Sequence, residues 1–177
     1  MYYIKNMTSN KLAKTKLFLM DVDGVLTDGS IVYPGEDGQA MIFNVKDGLG
    51  LKMLHEAGIL TGVITGRKSA ALSRRIKELT IGFCYDGVSD KAPLLESILI
   101  ETGCSAEETA FIADDLPDIP LMRKVGIPIA VADARPEVRL CAIMTTEAPG
   151  GKGAVREACE AILKARGCWP DIVKKWS

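Results

Sequence analysis

Leu17-Phe18-Leu19-Met20-Asp21-Val22-Asp23-Gly24-Val25-Leu26-Thr27-Asp28-Gly29 is the stretch on which the fold turns. Four apolar residues in a row, Leu17 to Met20, suit a buried strand. That run delivers two aspartates spaced i, i+2, with a glycine directly after. A carboxylate at the rim of a core must be paired, hydrated or bound to metal. Alone, the stretch is also compatible with an Asx-type turn closing a strand. Its neighbours decide between these readings.

Upstream, Met1 to Lys16 reads as an irregular lead-in. Downstream, two short β-rich runs flank Pro34-Gly35-Glu36-Asp37-Gly38 and predict a β-hairpin over about residues 30–44, suited to a flap or a subunit contact. Asp47 is a candidate N-cap for a helix running to Ala57, with Leu49, Met53 and Leu54 as its apolar stripe and Gly58 as its stop. Ile59 to Ile64 predicts a buried strand ending in Thr65-Gly66-Arg67, and Ser69 then opens a helix to Leu79. A short strand, Gly82 to Tyr85, precedes Lys91 and a helix that starts near Pro93. Ser105-Ala106-Glu107-Glu108 resembles a capping box, and Thr109 to Ala113 is a strand ending in Asp114-Asp115.

Further on, Asp118 to Val125 reads as helix, Pro128 to Val131 as strand and Cys141 to Met144 as the last strand. Pro149 to Gly153 reads as a flexible loop, and Ala154 to Arg166 as a helix with Val155, Cys159, Ile162 and Leu163 on one face. Residues 167–177 form a tail carrying Trp169 and Trp176. Strands and helices alternate throughout. That predicts an α/β, Rossmann-like parallel sheet with helices on both faces, in one domain over residues 1–177.

Bulk composition narrows the function classes. Of 177 residues, 47% are hydrophobic and 25% charged, the profile of an ordinary soluble protein. Lys+Arg is 22 against Asp+Glu 23, a net charge of −1, so no basic footprint for nucleic acid or an anionic membrane exists. With no apolar run of membrane-spanning length and a polar, basic start, the expectation is a cytoplasmic protein. Five cysteines without a C-x-x-C pair argue against zinc or a disulfide framework. The single histidine, His55, reads as a helix-surface or packing residue.

In open α/β sheets, ligands bind outside the carboxyl ends of the strands. Three apolar strands here end in polar clusters: Asp21-x-Asp23, Thr65-Gly66-Arg67 and Asp114-Asp115. Lys91 follows a fourth. Asp21, Asp23 and Asp114 would repel one another if left bare. A hard divalent cation removes that conflict, and an all-oxygen ligand set points to Mg²⁺. An ammonium and a hydroxyl facing the metal suit a phosphate dianion. One carboxylate then remains as a nucleophile toward phosphorus.

With these residues in place, the chain resembles the haloacid dehalogenase-like phosphatases over nearly its whole length. Asp21-Val22-Asp23-Gly24 matches their first motif, Thr65 the second, Lys91 the third and Asp114-Asp115 the fourth. The resemblance implies that Asp21 is the nucleophile and forms an aspartyl-phosphate. It implies that Asp23 protonates the leaving alkoxide, later activates water, and binds Mg²⁺ through its backbone carbonyl. Thr65 and Lys91 would hold the phosphoryl group, and Asp114 would complete the metal site. An acid at position 23 favours hydrolysis over a persistent phosphoenzyme. The intervals between motifs leave no room for a cap domain, so the site is expected to be open.

Within that superfamily, the chain is similar to the small tetrameric subgroup of 3-deoxy-D-manno-octulosonate 8-phosphate (KDO 8-phosphate) phosphatases, enzymes of lipopolysaccharide sugar biosynthesis. The carrying segments are Asp21 to Gly29, Phe43-Asn44-Val45-Lys46-Asp47-Gly48, Thr65-Gly66-Arg67 and Gly150 to Glu157. The resemblance implies that Asn44, Val45, Lys46, Asp47 and Gly48 line a sugar-acid site. It likewise implies substrate contacts from Asp23, Gly66 and Lys91, with Lys52, Arg67 and Arg75 as basic ones. It further implies a homotetramer with the hairpins at its centre, and a glycine-rich C-terminal segment reaching a neighbouring active site. Three departures stand out: Ala113 replaces the usual glycine before the paired aspartates, Lys46 and Lys52 stand where arginine is common, and Leu116-Pro117-Asp118-Ile119 differs from the subgroup's most familiar wording. Two alternatives are a phosphatase of a nine-carbon sugar-acid 9-phosphate and a non-catalytic oligomerisation module.

Overall fold

The computed structural model describes residues 2–33 and 40–175. Six strands form one parallel sheet: β1 (Leu17–Met20), β2 (Leu60–Ile64), β3 (Phe83–Tyr85), β4 (Thr109–Ala113), β5 (Ile127–Ala130) and β6 (Met144–Thr145). Their order is β3-β2-β1-β4-β5-β6. The chain therefore winds outward from β1 through β2 to β3, returns to the other side of β1 at β4, and winds outward again. A crevice opens at the carboxyl ends where the winding reverses. Met20 pairs with Val63 on one side and Ile112 on the other, so Asp21, Thr65 and Asp114 emerge together on that rim.

Eight helices cover the sheet among the described residues: α1 (Tyr2–Leu12), α2 (Val45–Glu56), α3 (Ala70–Leu79), α4 (Leu94–Thr102), α5 (Ile119–Met122), α6 (Pro136–Cys141), α7 (Ala154–Ala165) and α8 (Trp169–Lys174). Helix α2 packs along α7, which also contacts α1 and α8, while α5 packs against α6. Strand residues Leu17 to Met20 and Thr109 to Ala113 are buried throughout, because helices lie on both sheet faces. Phe18 and Phe111 are the largest side chains of the core.

Several expected boundaries shift, each for a local reason. The lead-in is a helix, not an irregular arm; it is anchored by buried Leu12 and by contact with α7, which no periodic apolar stripe announces. Helix α2 starts three residues early, because the Asn44 side chain accepts from Lys46 N–H and takes the N-cap role expected of Asp47. Its buried stripe is Leu51, Met53 and Leu54, while Leu49 stays exposed. Cys141 ends α6, so the last strand begins at Met144. The tail folds back as α8, with Ile172 buried.

Of the expected hairpin, the described residues show one antiparallel bridge, Val32 to Ala40, and the turn 34–39 lies outside them. Trp176 also lies outside them. Other expectations match. Ser69 caps α3, Gly58 and Gly103 take left-handed φ after α2 and α4, and Ser105 with Glu108 forms a capping box. Val155, Cys159, Ile162 and Leu163 share the buried face of α7. His55 is a packing residue, 2.6 Å from the Thr61 hydroxyl, and burial lowers its pKa.

Candidate active site

Asp21 leaves β1 into a tight turn. Thr27 N–H and hydroxyl both donate to the Val22 carbonyl, at 3.0 and 3.3 Å, which closes the loop after the aspartate pair. Gly24 takes φ 82° there, a left-handed conformation that favours glycine. A Cβ at Gly24 would overlap the Asp114 carboxylate. The absent side chain thus makes the room in which β4's aspartate meets β1's.

Lys91 ties the cluster together. Its Nζ donates to Asp21 Oδ1 at 2.6 Å and to Asp118 Oδ1 at 2.7 Å, and lies 5.9 Å from the centre of the Phe111 ring. All three charged groups are buried. Asp118 arrives on a 3₁₀ turn, Leu116–Asp118, which Asp115 caps by accepting from Leu116 N–H at 2.8 Å. Asp118, expected from the sequence only as the start of a helix, is Lys91's second partner. Its signal was an aspartate three residues past Asp115.

The electrostatics of this cluster are unbalanced. Burial first, and then Asp118, push the Asp21 carboxyl up to about 6, against the pull of Lys91. Burial, with Asp21, Asp118 and Asp115 following, pushes Asp114 up to about 8. For Lys91, burial works to lower the pKa, but Asp21 and Asp118 outweigh it and hold the ammonium above its ordinary value. One ammonium faces three carboxylates.

These observations test whether a divalent cation fits. Ligand oxygens of Asp21, Asp114 and Asp118 lie within 4.8 Å of one another. Asp114 Oδ1 is buried and has no hydrogen-bond partner among the described residues. Excess negative charge, an orphaned oxygen and oxygen-only donors suit a hard cation such as Mg²⁺. The Asp23 side chain stands apart from this group: its Oδ2 pairs with Arg67 Nε at 3.2 Å.

Around the cluster lies an open cleft of about 440 Å³, lined by Asp21, Asp23, Gly24, Thr65, Gly66, Arg67, Lys91, Asp114 and neighbouring residues. Thr65 is buried, and its hydroxyl accepts from Arg67 N–H at 3.2 Å. The remaining expected substrate contacts lie outside this cleft within one chain. Val45, Lys46 and Lys52 are exposed on α2. Arg75 donates to the Asn44 carbonyl at 3.3 Å, sits 5.7 Å from the Phe43 ring, and borders a separate depression. Asp47 and Gly48 are buried. Asp47 Oδ1 accepts from Arg156 N–H at 2.7 Å, capping α7 in place of Gly153, which has no side chain to do so.

Gly150 to Gly153 also differs from expectation. Rather than a free flexible loop, Gly150 and Gly151 pack onto the loop Gly24–Asp28 of their own chain, and Gly151 N–H donates to the Val25 carbonyl at 2.9 Å.

Comparison with known proteins places this arrangement. Residues 85–156 match the family model of the haloacid dehalogenase-like hydrolases. The chain is 41% identical over 157 residues to the 3-deoxy-D-manno-octulosonate 8-phosphate phosphatase of Yersinia pestis, covering 88% of this chain and 83% of that protein. The Moraxella catarrhalis 3-deoxy-D-manno-octulosonate 8-phosphate phosphatase, solved with magnesium, phosphate and KDO, superposes with a TM-score of 0.95 at 40% identity, covering 97% and 99% of the two chains. The cobalt-bound Haemophilus influenzae phosphatase superposes with a TM-score of 0.86 at 41% identity, covering 89% and 92%. An identity of this level across almost the full fold, together with the ordered aspartate, threonine and lysine positions, means that the chain belongs to the 3-deoxy-D-manno-octulosonate 8-phosphate phosphatase family of the haloacid dehalogenase-like hydrolases.

Proposed function

We propose that this protein is a Mg²⁺-dependent phosphomonoesterase that hydrolyses KDO 8-phosphate to KDO and inorganic phosphate. The observation that carries the reading is the Asp21 carboxylate held by Lys91 at 2.6 Å beside Asp114, at the open rim of the sheet. It stands in a chain 40% identical to a phosphatase solved with KDO.

Asp21 attacks phosphorus with one carboxylate oxygen. As that O–P bond forms, the P–O bond to the sugar breaks, and Asp23 gives its proton to the departing alkoxide. Asp23, now a carboxylate, takes a proton from water. The water oxygen attacks phosphorus, the bond to Asp21 breaks, and phosphate leaves. Arg67, paired with Asp23, holds that carboxyl at the cleft wall. The Thr65 hydroxyl and Lys91 ammonium hold phosphoryl oxygens. Mg²⁺, which Asp21, Asp114 and the Asp23 carbonyl would hold, supplies charge neutralisation at the phosphoryl group. Asp118 acts through Lys91, keeping the ammonium charged and in place.

The sugar-acid carboxylate needs cations, and in one chain Gly66 and Arg67 border the cleft. The active form we propose is a homotetramer, in which a second copy adds groups that one chain leaves outside its own cleft. Ile31, Val32, Tyr33 and Ile42 are exposed around the hairpin base, as an interface there requires. Among such groups are Asn44, Lys46, Lys52 and Arg75. No described helix is long and apolar enough to cross a membrane.

Phosphate release with Mg²⁺ from KDO 8-phosphate and from a nine-carbon sugar-acid 9-phosphate tests the reading. A higher kcat/KM for KDO 8-phosphate, abolished by Asp21→Asn in a folded protein, is the expected result. Preference for the nine-carbon substrate overturns the substrate assignment. Full activity of Asp21→Asn overturns the mechanism, and no release from any sugar phosphate leaves a non-catalytic module.

A further inference from the structure

The turn at Gly150 and Gly151 is seated more tightly than a connecting loop needs. A Cβ at Gly150 would overlap the Gly24 carbonyl, and one at Gly151 would overlap the backbone of Thr27 and Asp28. Gly151 takes φ 66°. At Gly24 itself, a Cβ would overlap the Asp114 carboxylate. The Gly24 backbone is therefore in close contact with both the Asp114 carboxylate and the Gly150 backbone, with no room for a methyl group at either contact.

Both ends of the turn are tied down. Glu157 accepts from Glu147 N–H at 2.9 Å and from Ala148 N–H at 3.0 Å, ahead of the turn. Asp47 caps α7 behind it. In the middle, Asp133 Oδ1 accepts from Gly150 N–H at 2.9 Å. Asp133 sits in the loop after β5, two residues before Arg135, whose N–H donates to the Asp114 carbonyl at 2.8 Å. One short segment thus grips Asp114 through its backbone and Gly150 through a side chain.

We propose that the Gly150–Gly151 turn, latched by Asp133, is a positioning element for Asp114: it presses the Gly24 loop onto that carboxylate and so sets the affinity of the site for Mg²⁺. The proposal rests on the reading of Asp114 as a metal ligand. Packed interiors transmit small displacements because they have no slack to absorb them. Groups that orient a metal ligand typically control affinity by about 10–100-fold. Asp133 is exposed and carries no reacting atom, so it acts only through the turn it holds.

The test is calorimetric titration of the substrate-free protein with MgCl₂. Asp133→Ala weakens Mg²⁺ binding by about tenfold, and Asp133→Asn, which keeps an oxygen for Gly150 N–H, recovers most of it. Gly150→Ala weakens it at least as much; where that variant does not fold, the Asp133 pair decides. Gly103→Ala is the control, because Gly103 also has a left-handed φ but nothing within 4 Å of its missing side chain. It loses stability and keeps Mg²⁺ affinity. Wild-type affinity in Asp133→Ala, equal weakness in Asp133→Asn, or an equal loss in Gly103→Ala overturns the proposal. Absence of Mg²⁺ binding by the wild type overturns the metal reading itself, and the proposal with it.

Discussion

Lys91 holds Asp118 as closely as it holds Asp21, at 2.7 and 2.6 Å, with all three groups buried. Breaking a buried pair from one side leaves uncompensated charge, which typically costs about 3–5 kcal/mol. Lys91→Met strands two carboxylates at once, so urea unfolding of that variant should show a loss in this range. The double variant Lys91→Met with Asp118→Asn removes one stranded charge and should regain part of it. A double variant no more stable than Lys91→Met would show that Lys91 does not serve Asp118.

Asp23 and Asp21 carry different duties in the proposed reaction, and leaving-group chemistry separates them. Asp23→Asn should cost about 10²–10⁴-fold in turnover of a sugar phosphate, whose alkoxide needs a proton to leave. With p-nitrophenyl phosphate the leaving group needs none. There Asp23→Asn should give a burst of p-nitrophenol and an accumulated aspartyl-phosphate, because only the water step is slowed. A steady-state rate equal to wild type on both substrates would remove Asp23 from the mechanism.

The metal-free protein should lose stability as pH rises. Asp21 stands at about 6 and Asp114 at about 8 in the folded chain, against an ordinary 3.8. Below 3.8 both states are protonated and the groups contribute nothing to the pH dependence. Between 3.8 and about 8 the unfolded chain has released protons that the folded chain retains, so folding is progressively disfavoured. Asp47, pushed up to about 6 chiefly by burial, adds to the lower part of the same window. Mg²⁺ competes with those protons, so its stabilising effect should grow from pH 5.5 to pH 8. Thermal melts with and without MgCl₂ at each pH check this; a Mg²⁺ increment that is flat or falls with pH would contradict it.

The hairpin base exposes Ile31, Val32 and Tyr33. A glutamate at Ile31 or Tyr33 places charge in the proposed subunit contact, where it must be desolvated. Ile31→Glu and Tyr33→Glu should convert the proposed tetramer to smaller species in light scattering, with circular dichroism unchanged. A wild-type protein that elutes as a monomer at micromolar concentration would end the tetramer reading.

How much of this was legible beforehand depends on the range of the interactions. Strands β1, β2 and β4 were readable because each is an apolar run bounded by polar clusters or glycine. Ser69, Gly58 and the Ser105–Glu108 box were readable because caps act within a few residues. The lead-in helix was not: its support is a contact with α7, far away in sequence. Asp47 shows the same limit. Its sequence position suggested a cap for its own helix, and it caps another one instead, 109 residues away.

The sequence by itself determined the alternation of strands and helices, and which polar side chains follow each strand, because periodicity and turn chemistry are local. It also determined the residue types of a phosphoryl-transfer site, aspartates, a threonine and a lysine in order. Only the tertiary structure decided that Lys91 divides itself between Asp21 and Asp118, and that Asp114 lies where Gly24 has no side chain. It alone decided that Gly150 and Gly151 brace the loop leaving Asp21. Those relations join residues far apart in the chain, and close packing settles them only after the sheet has brought its strand ends together.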